Sequence, residues 1–239
     1  VNLSSGEGHD DRDDDDRDGT DLLLPGQIGF IVPGVAYGAL RYKEYALLTG
    51  YRQLVNQGFV NPQDNRMIPN AFEGATVTGT FGPLEYYVGY LTAMKTRTSD
   101  IFVNMATAAG VTTGENRGMI LTTLNFDPSN GPAGLAPLKG LQVYLGNYYV
   151  PDVFNTVYVN PEYRRALTED WRLRLGVQYF NQSSGGSELI GDFSTWQTGA
   201  RVEVAKRREP VHVLALARHI ERRGHRPGDL GVLGHRRRR

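Results

Sequence analysis

Cysteine is absent from the 239 residues, which excludes a disulfide scaffold, a CxxC zinc site and a thiol nucleophile. Histidine is confined to the ends. All five (His9, His212, His219, His225 and His235) lie outside Thr20 to Ala205, so the middle of the chain has no imidazole for a metal site or a Ser/His pair. GxGxxG, GxxxxGK[ST], HExxH and GxSxG are missing too, which removes the common nucleotide, zincin and hydrolase signatures. These absences favour binding, transport or a structural role over catalysis, and no cofactor is expected. The chain also has no basic-then-apolar opening of the secretory kind. Its one long uncharged run, the nineteen residues Leu22 to Leu40, is about the length of a membrane helix. Pro25, Pro33, Gly26, Gly29, Gly34 and Gly38 break it, so it reads as a loop leading into a strand.

Charge is present but segregated. The formal net charge is zero, yet Val1 to Asp21 carries nine carboxylates and two arginines, whereas Lys206 to Arg239 carries eleven basic and three acidic residues. Leu22 to Ala205 is close to neutral. Three segments follow: an acidic stretch at 1–21, a β-rich section at 22–205 and a basic tail at 206–239. The acidic stretch contains Asp14-x-Asp16-x-Asp18-Gly19, the front half of a calcium loop. Its twelfth position is Pro25 where a bidentate Glu is required, so it reads as a solvated, self-repelling linker with no metal. The basic tail has no Phe, Tyr or Trp for base stacking, and no nucleic-acid partner is expected. Ala205 to Arg223 is the single helix candidate, on weak helical periodicity.

The middle section alternates with period two, as strands do. Trp171, Leu173, Leu175, Val177 and Tyr179 share one face and Arg172, Arg174, Gly176 and Gln178 the other. Thr195 to Val204 repeats this, with Trp196, Thr198, Ala200, Val202 and Val204 opposing Gln197, Gly199, Arg201 and Glu203. Hairpins are expected at Ala36–Tyr42 with Tyr45–Arg52, turning at Lys43 and Glu44, and at Ala75–Phe81 with Leu84–Ala93, turning at Gly82 and Pro83. Met119–Phe126 and Leu141–Tyr149 flank a Pro/Gly-rich turn. Thr156–Arg164 turns near Glu169 and Asp170 into the Trp171 strand. The expectation is an all-β chain of about nine antiparallel up-and-down strands. A soluble sandwich binding module would turn the apolar faces inward; a transmembrane barrel would turn them to lipid. Three features favour the barrel. Long connections (53–74, 94–118, 183–194) alternate with short ones. Aromatics lie near strand ends (Tyr42, Tyr45, Tyr86, Tyr90, Tyr148, Tyr149, Trp171, Trp196). Strand lengths suit a tilted crossing of the bilayer.

Asn61 to Gly74 reads NPQDNRMIPNAFEG, containing Asp64-x-Arg66-x-x-Pro69-x-x-Phe72. This string resembles the OprD-type family of outer-membrane porins. LLLPGQIGF (22–30), VGYLTAMKTRTSDIFVNMATAAGV (88–111), NYYVPDVFN (147–155) and DFSTWQTGARVEV (192–204) agree in order, so the resemblance covers about residues 20–205. It implies a roughly eighteen-stranded barrel with an aqueous channel, of which nine strands are about half. It also implies lumenal arginines and lysines, opposed by acidic and carbonyl groups at an inward-folded loop. Such a ladder guides small anionic or zwitterionic solutes bearing carboxylates: amino acids, short peptides and organic acids. Outer-membrane lipid is the other implied partner, and the assembly is a monomer or homotrimer. Arg66 carries over to the constriction and Arg41 follows it. Lys43, Arg52, Arg172, Arg174 and Arg201 join them by parity, as cations on polar faces. The chain departs from the family where the aromatic strand pattern stops after Ala205; the basic tail there reads as a change of reading frame.

Overall fold

In the computed structural model, residues 32–63 and 68–206 are described, together with the backbone of Glu209–Val211 and Glu221–Arg222. They form a single antiparallel sheet. Its strands are β1 (Ala36–Tyr42), β2 (Ala46–Gln53), β3 (Ala71–Phe81), β4 (Leu84–Lys95), the two-residue β5 (Val103–Asn104), β6 (Met119–Phe126), β7 (Leu141–Val150), β8 (Phe154–Ala166), β9 (Trp171–Ser184), β10 (Ser194–Lys206), β11 (Glu209–Val211) and β12 (Glu221–Arg222). The order across the sheet is β1-β2-β3-β4-β6-β7-β8-β9-β10-β11, with β5 on β4 and β12 on β10. Consecutive long strands are therefore neighbours, an up-and-down meander, and the nine expected strands are all there within a few residues of their expected ends. The sheet is open: among the described residues β1 and β11 do not meet.

Where Ala205 to Arg223 was expected to be helical, Ala205 and Lys206 finish β10, and Glu209–Val211 and Glu221–Arg222 pair antiparallel with it. The unpaired ladder groups of an outer strand are a template for any extended segment, and this outweighs a weak helical period. The acidic stretch and the rest of the tail lie outside the described residues.

Register separates two faces. Thr49, Thr76, Gly89, Leu121, Tyr148, Thr156, Gln182 and Thr195 are successive partners across eight strands. On this inner face lies the core: Phe72, Leu91, Met119, Leu121, Tyr148 and Val150 pack against Val55 and Val60 from the β2–β3 connection and Met105 and Ala106 from the β4–β6 connection. Connections, not a second sheet, supply the other half of the core. Those last two residues belong to one helical turn, α1 (Met105–Ala108), capped by the Asn104 side chain accepting from the Thr107 amide at 2.9 Å, as N-cap asparagines do.

The outer face is apolar and bare. Leu40, Leu48, Val77 and Val88 are partners in one row, and Leu40, Leu48, Val88, Tyr90, Ile120, Leu145, Val177 and Val202 are all exposed. A water-soluble sheet would not leave so continuous an apolar surface uncovered; hydrocarbon would. At the short-turn end, Tyr45 stacks on Phe81 at 5.4 Å and Phe81 on Tyr86 at 5.7 Å, the aromatic belt expected of a bilayer interface. Tyr148, grouped by sequence with that belt, instead faces inward and is 1% exposed, because its position is in register with the inner row. The β3–β4 turn is Gly82-Pro83, with Gly82 at φ 56°, a left-handed conformation that glycine adopts without steric cost. Val88→Arg puts a cation on the lipid face near mid-strand and is expected to destabilise the sheet in bilayers by about 2–4 kcal/mol, read from urea unfolding in liposomes. An unchanged midpoint would argue against a lipid-facing outer surface.

Candidate functional site

The β2–β3 connection folds over the inner face. Gln57 and Val60 exchange two backbone hydrogen bonds of 2.8 Å, closing a tight turn with Gly58 and Phe59 at its tip. The Gln57 side chain accepts from the Thr123 hydroxyl at 2.7 Å, and the Gly58 and Phe59 amides donate to the Tyr144 and Tyr148 hydroxyls at 3.4 Å each. A Cβ at Gly58 would lie 3.0 Å from the Tyr148 hydroxyl, so glycine permits this close approach. Phe59 meets Tyr148 and Tyr158 edge-on at 5.4 and 5.3 Å and Phe180 tilted at 5.0 Å. Each such pair contributes roughly 0.5–1.5 kcal/mol beyond its buried area, enough to hold the tip across β7, β8 and β9. Beneath it lies a cavity of about 890 Å³, lined by Phe59 and Asn61 of the connection and by Phe180, Gln178, Gln182 and Gln197 of the strands. That volume suits a small organic ligand.

One row beyond Gln178 towards the short-turn end, the same face becomes charged. Glu162 pairs in register with Gly176 and Gly176 with Arg201, while Arg164 pairs with Arg174 and Arg174 with Glu203. Successive same-face rows lie roughly 7 Å apart along the strands. Glu162 takes Arg174 Nη2 at 2.6 Å, Arg201 Nη2 at 3.0 Å and an ion pair from Arg164 Nε, and Arg174 Nη1 lies 3.8 Å from Glu203. The Glu162 side chain is 12% exposed, the three arginines 34–53%. One sunken carboxylate thus anchors three partly exposed guanidinium groups. Arg174 Nε is buried without a hydrogen bond.

The residues expected from sequence are dispersed over this frame. Arg174 and Arg201 come together on Glu162, as strand parity required. Arg172 is exposed at the start of β9. Arg41 is exposed on β1 opposite Leu47. Lys43 is in the β1–β2 turn with φ 48°, its Nζ 5.9 Å from the Tyr42 ring, so strand parity does not assign it a face. Arg52 is engaged with Glu73 at 3.2 Å, the Pro33 carbonyl at 3.2 Å and the Phe102 ring at 4.2 Å, which leaves it little freedom to contact a solute. Arg66 lies outside the described residues. Sequence reasoning had not singled out Glu162, although it occupies the same parity as Arg164 on the expected strand. It also missed Phe59, since nothing local distinguishes a tip phenylalanine that packs inward from one that does not.

At the opposite end, Asp152 in the β7–β8 turn joins three connections. It accepts from Arg117 Nε at 3.0 Å and from the Ser187 amide at 3.1 Å, and its carbonyl accepts from the Leu189 amide at 2.8 Å. The hydrogen bond from Arg117, then that from Ser187, holds the Asp152 carboxyl below the usual carboxylate range.

A meander with a lipid-type outer face, an interfacial aromatic belt and a polar inner face crossed by a folded-in connection defines the transmembrane β-barrel class. A family model described as outer membrane porin, OprD family, matches residues 33–214. The chain belongs to that family, whose members are channel proteins of the bacterial outer membrane. The match runs past residue 205 to 214. Solved structures from Pseudomonas aeruginosa share the fold. OccD3 (OpdP) is 21% identical with TM-score 0.59, covering 72% of this chain and 40% of its own. OpdK with vanillate is 16% identical with TM-score 0.60, covering 78% and 48%. OccK2 (OpdF) in complex with glucuronate is 16% identical with TM-score 0.56, covering 71% and 43%. The chain thus spans less than half the length of these relatives. No curated protein matches it.

The Asp152 link has a definite pH signature. A carboxyl whose folded pKa is depressed stabilises the folded state fully above its unfolded pKa, about 3.9, and that contribution is lost as pH falls through the lower folded value. Proteolytic cleavage of the 96–118 and 185–193 connections is therefore expected to stay slow down to about pH 4 and to rise below it. Asp152→Asn should raise it already at neutral pH; no difference between variant and parent would remove the link from the account.

Proposed function

We propose that these strands form part of a channel for passive, weakly selective diffusion of small carboxylate-bearing solutes such as amino acids, short peptides or organic acids. The observation that carries this reading is the convergence of Arg164, Arg174 and Arg201 on Glu162 on the inner face. Guanidinium stays charged and grips carboxylates in a fork. Because Glu162 and Glu203 already occupy part of that capacity, a passing anion is attracted without being trapped, which is what conduction needs. Vanillate and glucuronate, present in two of the related structures, are both carboxylates. Arg172 extends the cationic track by one row, and Arg66 is assigned to the constriction by the resemblance of its segment, Asn61 to Gly74, to that of the porin family. Arg41 is the next carry-over to the constriction after Arg66, and Lys43 lies in the turn that follows its strand. No step of this function is catalytic, and the assembled barrel acts as a monomer or homotrimer.

An open sheet edge has no partners in hydrocarbon, so conduction requires both edges to be paired. In planar bilayers a barrel carrying these strands with closed edges is expected to prefer glutamate to a similar-sized amine. Replacing Arg174 and Arg201 together by glutamine should lower the anion-to-cation permeability ratio several-fold, with conductance in neutral-solute swelling assays retained. An unchanged ratio would overturn the assignment of this cluster.

A further inference from the structure

We propose that the cavity beneath the β2–β3 connection is a site for an uncharged, polyhydroxylated ring, the chemistry of a neutral sugar, distinct from the arginine–glutamate cluster. The inference rests on the same assignment of the inner face to water, but not on carboxylate selectivity. Gln178, Gln182 and Gln197 line the cavity, and their side-chain amides make no hydrogen bond among the described residues. Gln182 stands in register between Thr156 and Thr195, and Phe180 between Tyr158 and Gln197, so amides, hydroxyls and aromatic rings alternate over two adjacent rows. No charged side chain is found among the described lining residues.

The ligand class follows from what such a surface can satisfy. Each amide offers one carbonyl acceptor and two N–H donors, and a sugar hydroxyl is both donor and acceptor, so each amide can be matched by a hydroxyl pair. The rings of Phe59, half-exposed at the tip, and Phe180 give flat apolar surface for the C–H face of a saturated ring. A purely aromatic or aliphatic occupant would cover the rings but leave the amides unpaired, which a site built for hydroxyls penalises. A carboxylate would find no cation among the described lining residues and is drawn to the rows below. Ile190 and Phe193 of the β9–β10 connection also line the cavity.

The test uses the full 239-residue chain folded in detergent micelles, titrated with methyl β-glucoside, cyclohexanol and acetate by saturation-transfer NMR. Saturable glucoside binding is expected, at least tenfold tighter than cyclohexanol, with acetate giving no transfer from the cavity aromatics. Gln182→Leu with Gln197→Leu should weaken glucoside binding tenfold or more, and Gln182→Ala alone by an intermediate amount, which decides the matter if the double variant fails to fold. Val177→Ala on the outer face should leave it unchanged. Absence of saturation, equal binding of cyclohexanol, or insensitivity to both glutamine variants would overturn the proposal. The glucoside carries no charge, so this result and the permeability ratio of the arginine variant can fail separately.

Discussion

In hydrocarbon every backbone N–H and C=O must find a partner within the protein, since an unpaired group costs several kcal/mol. That constraint dictates the meander. Each long strand from β2 to β10 is hydrogen-bonded on both sides, and the ladder holds the register that sorts alternate side chains to lipid or to water. The irregularity between Glu73 and Gly74 is accommodated in the same currency: Thr92 is left out of the register opposite it, and its hydroxyl donates to the Glu73 carbonyl at 3.1 Å. The functional face is a consequence of pairing, because a one-residue slip would exchange Arg174 with Leu175 and Gln178 with Val177.

Two kinds of chemistry share that face. Towards the short turns, Glu162 gathers guanidinium groups; towards the long connections, glutamine amides and aromatic rings line a neutral cavity. On the inner parity of β9 and β10, Gly176 sits between Glu162 and Arg201 and Gly199 sits beside Gln178, so each of these two rows has a position without a side chain. The β2–β3 connection closes the neutral part from above, and its attachment through Phe59 and the Tyr144 and Tyr148 hydroxyls makes it a fixed element of the wall. A solute with both a hydroxylated body and a carboxylate would meet partners for each in sequence along the strands.

Much of this was legible in the sequence because period-two alternation is a local signal. The ends of β1, β3 and β4 at their short turns, and the facing ends of β6 and β7, agree with the expected ones, and the parity of Arg172, Arg174 and Arg201 needed no tertiary information. What was not legible depends on contacts distant in sequence. The inward packing of Phe59 is set by residues about ninety to one hundred and twenty positions away, on β7 to β9. Arg52 reads as a free cation until Glu73 and Phe102 are placed beside it. Lys43 falls in a turn of only a few residues, where a one-residue shift of boundary decides whether parity applies. Tyr148 reads as a belt aromatic until register turns it inward.

The central claim is that the polar face meets water and the apolar face meets lipid. The absence of cysteine makes a direct measurement simple: single cysteines at Val177, Gln178, Tyr179, Phe180 and Gln182, tested in bilayers with a small membrane-impermeant thiol reagent. Rapid reaction at 178 and 182 with protection at 177 and 179 is the predicted pattern, and Phe180, under the Phe59 tip, should react more slowly than its even-numbered neighbours. Protection at 178 and 182 with reaction at 177 and 179 would contradict the account.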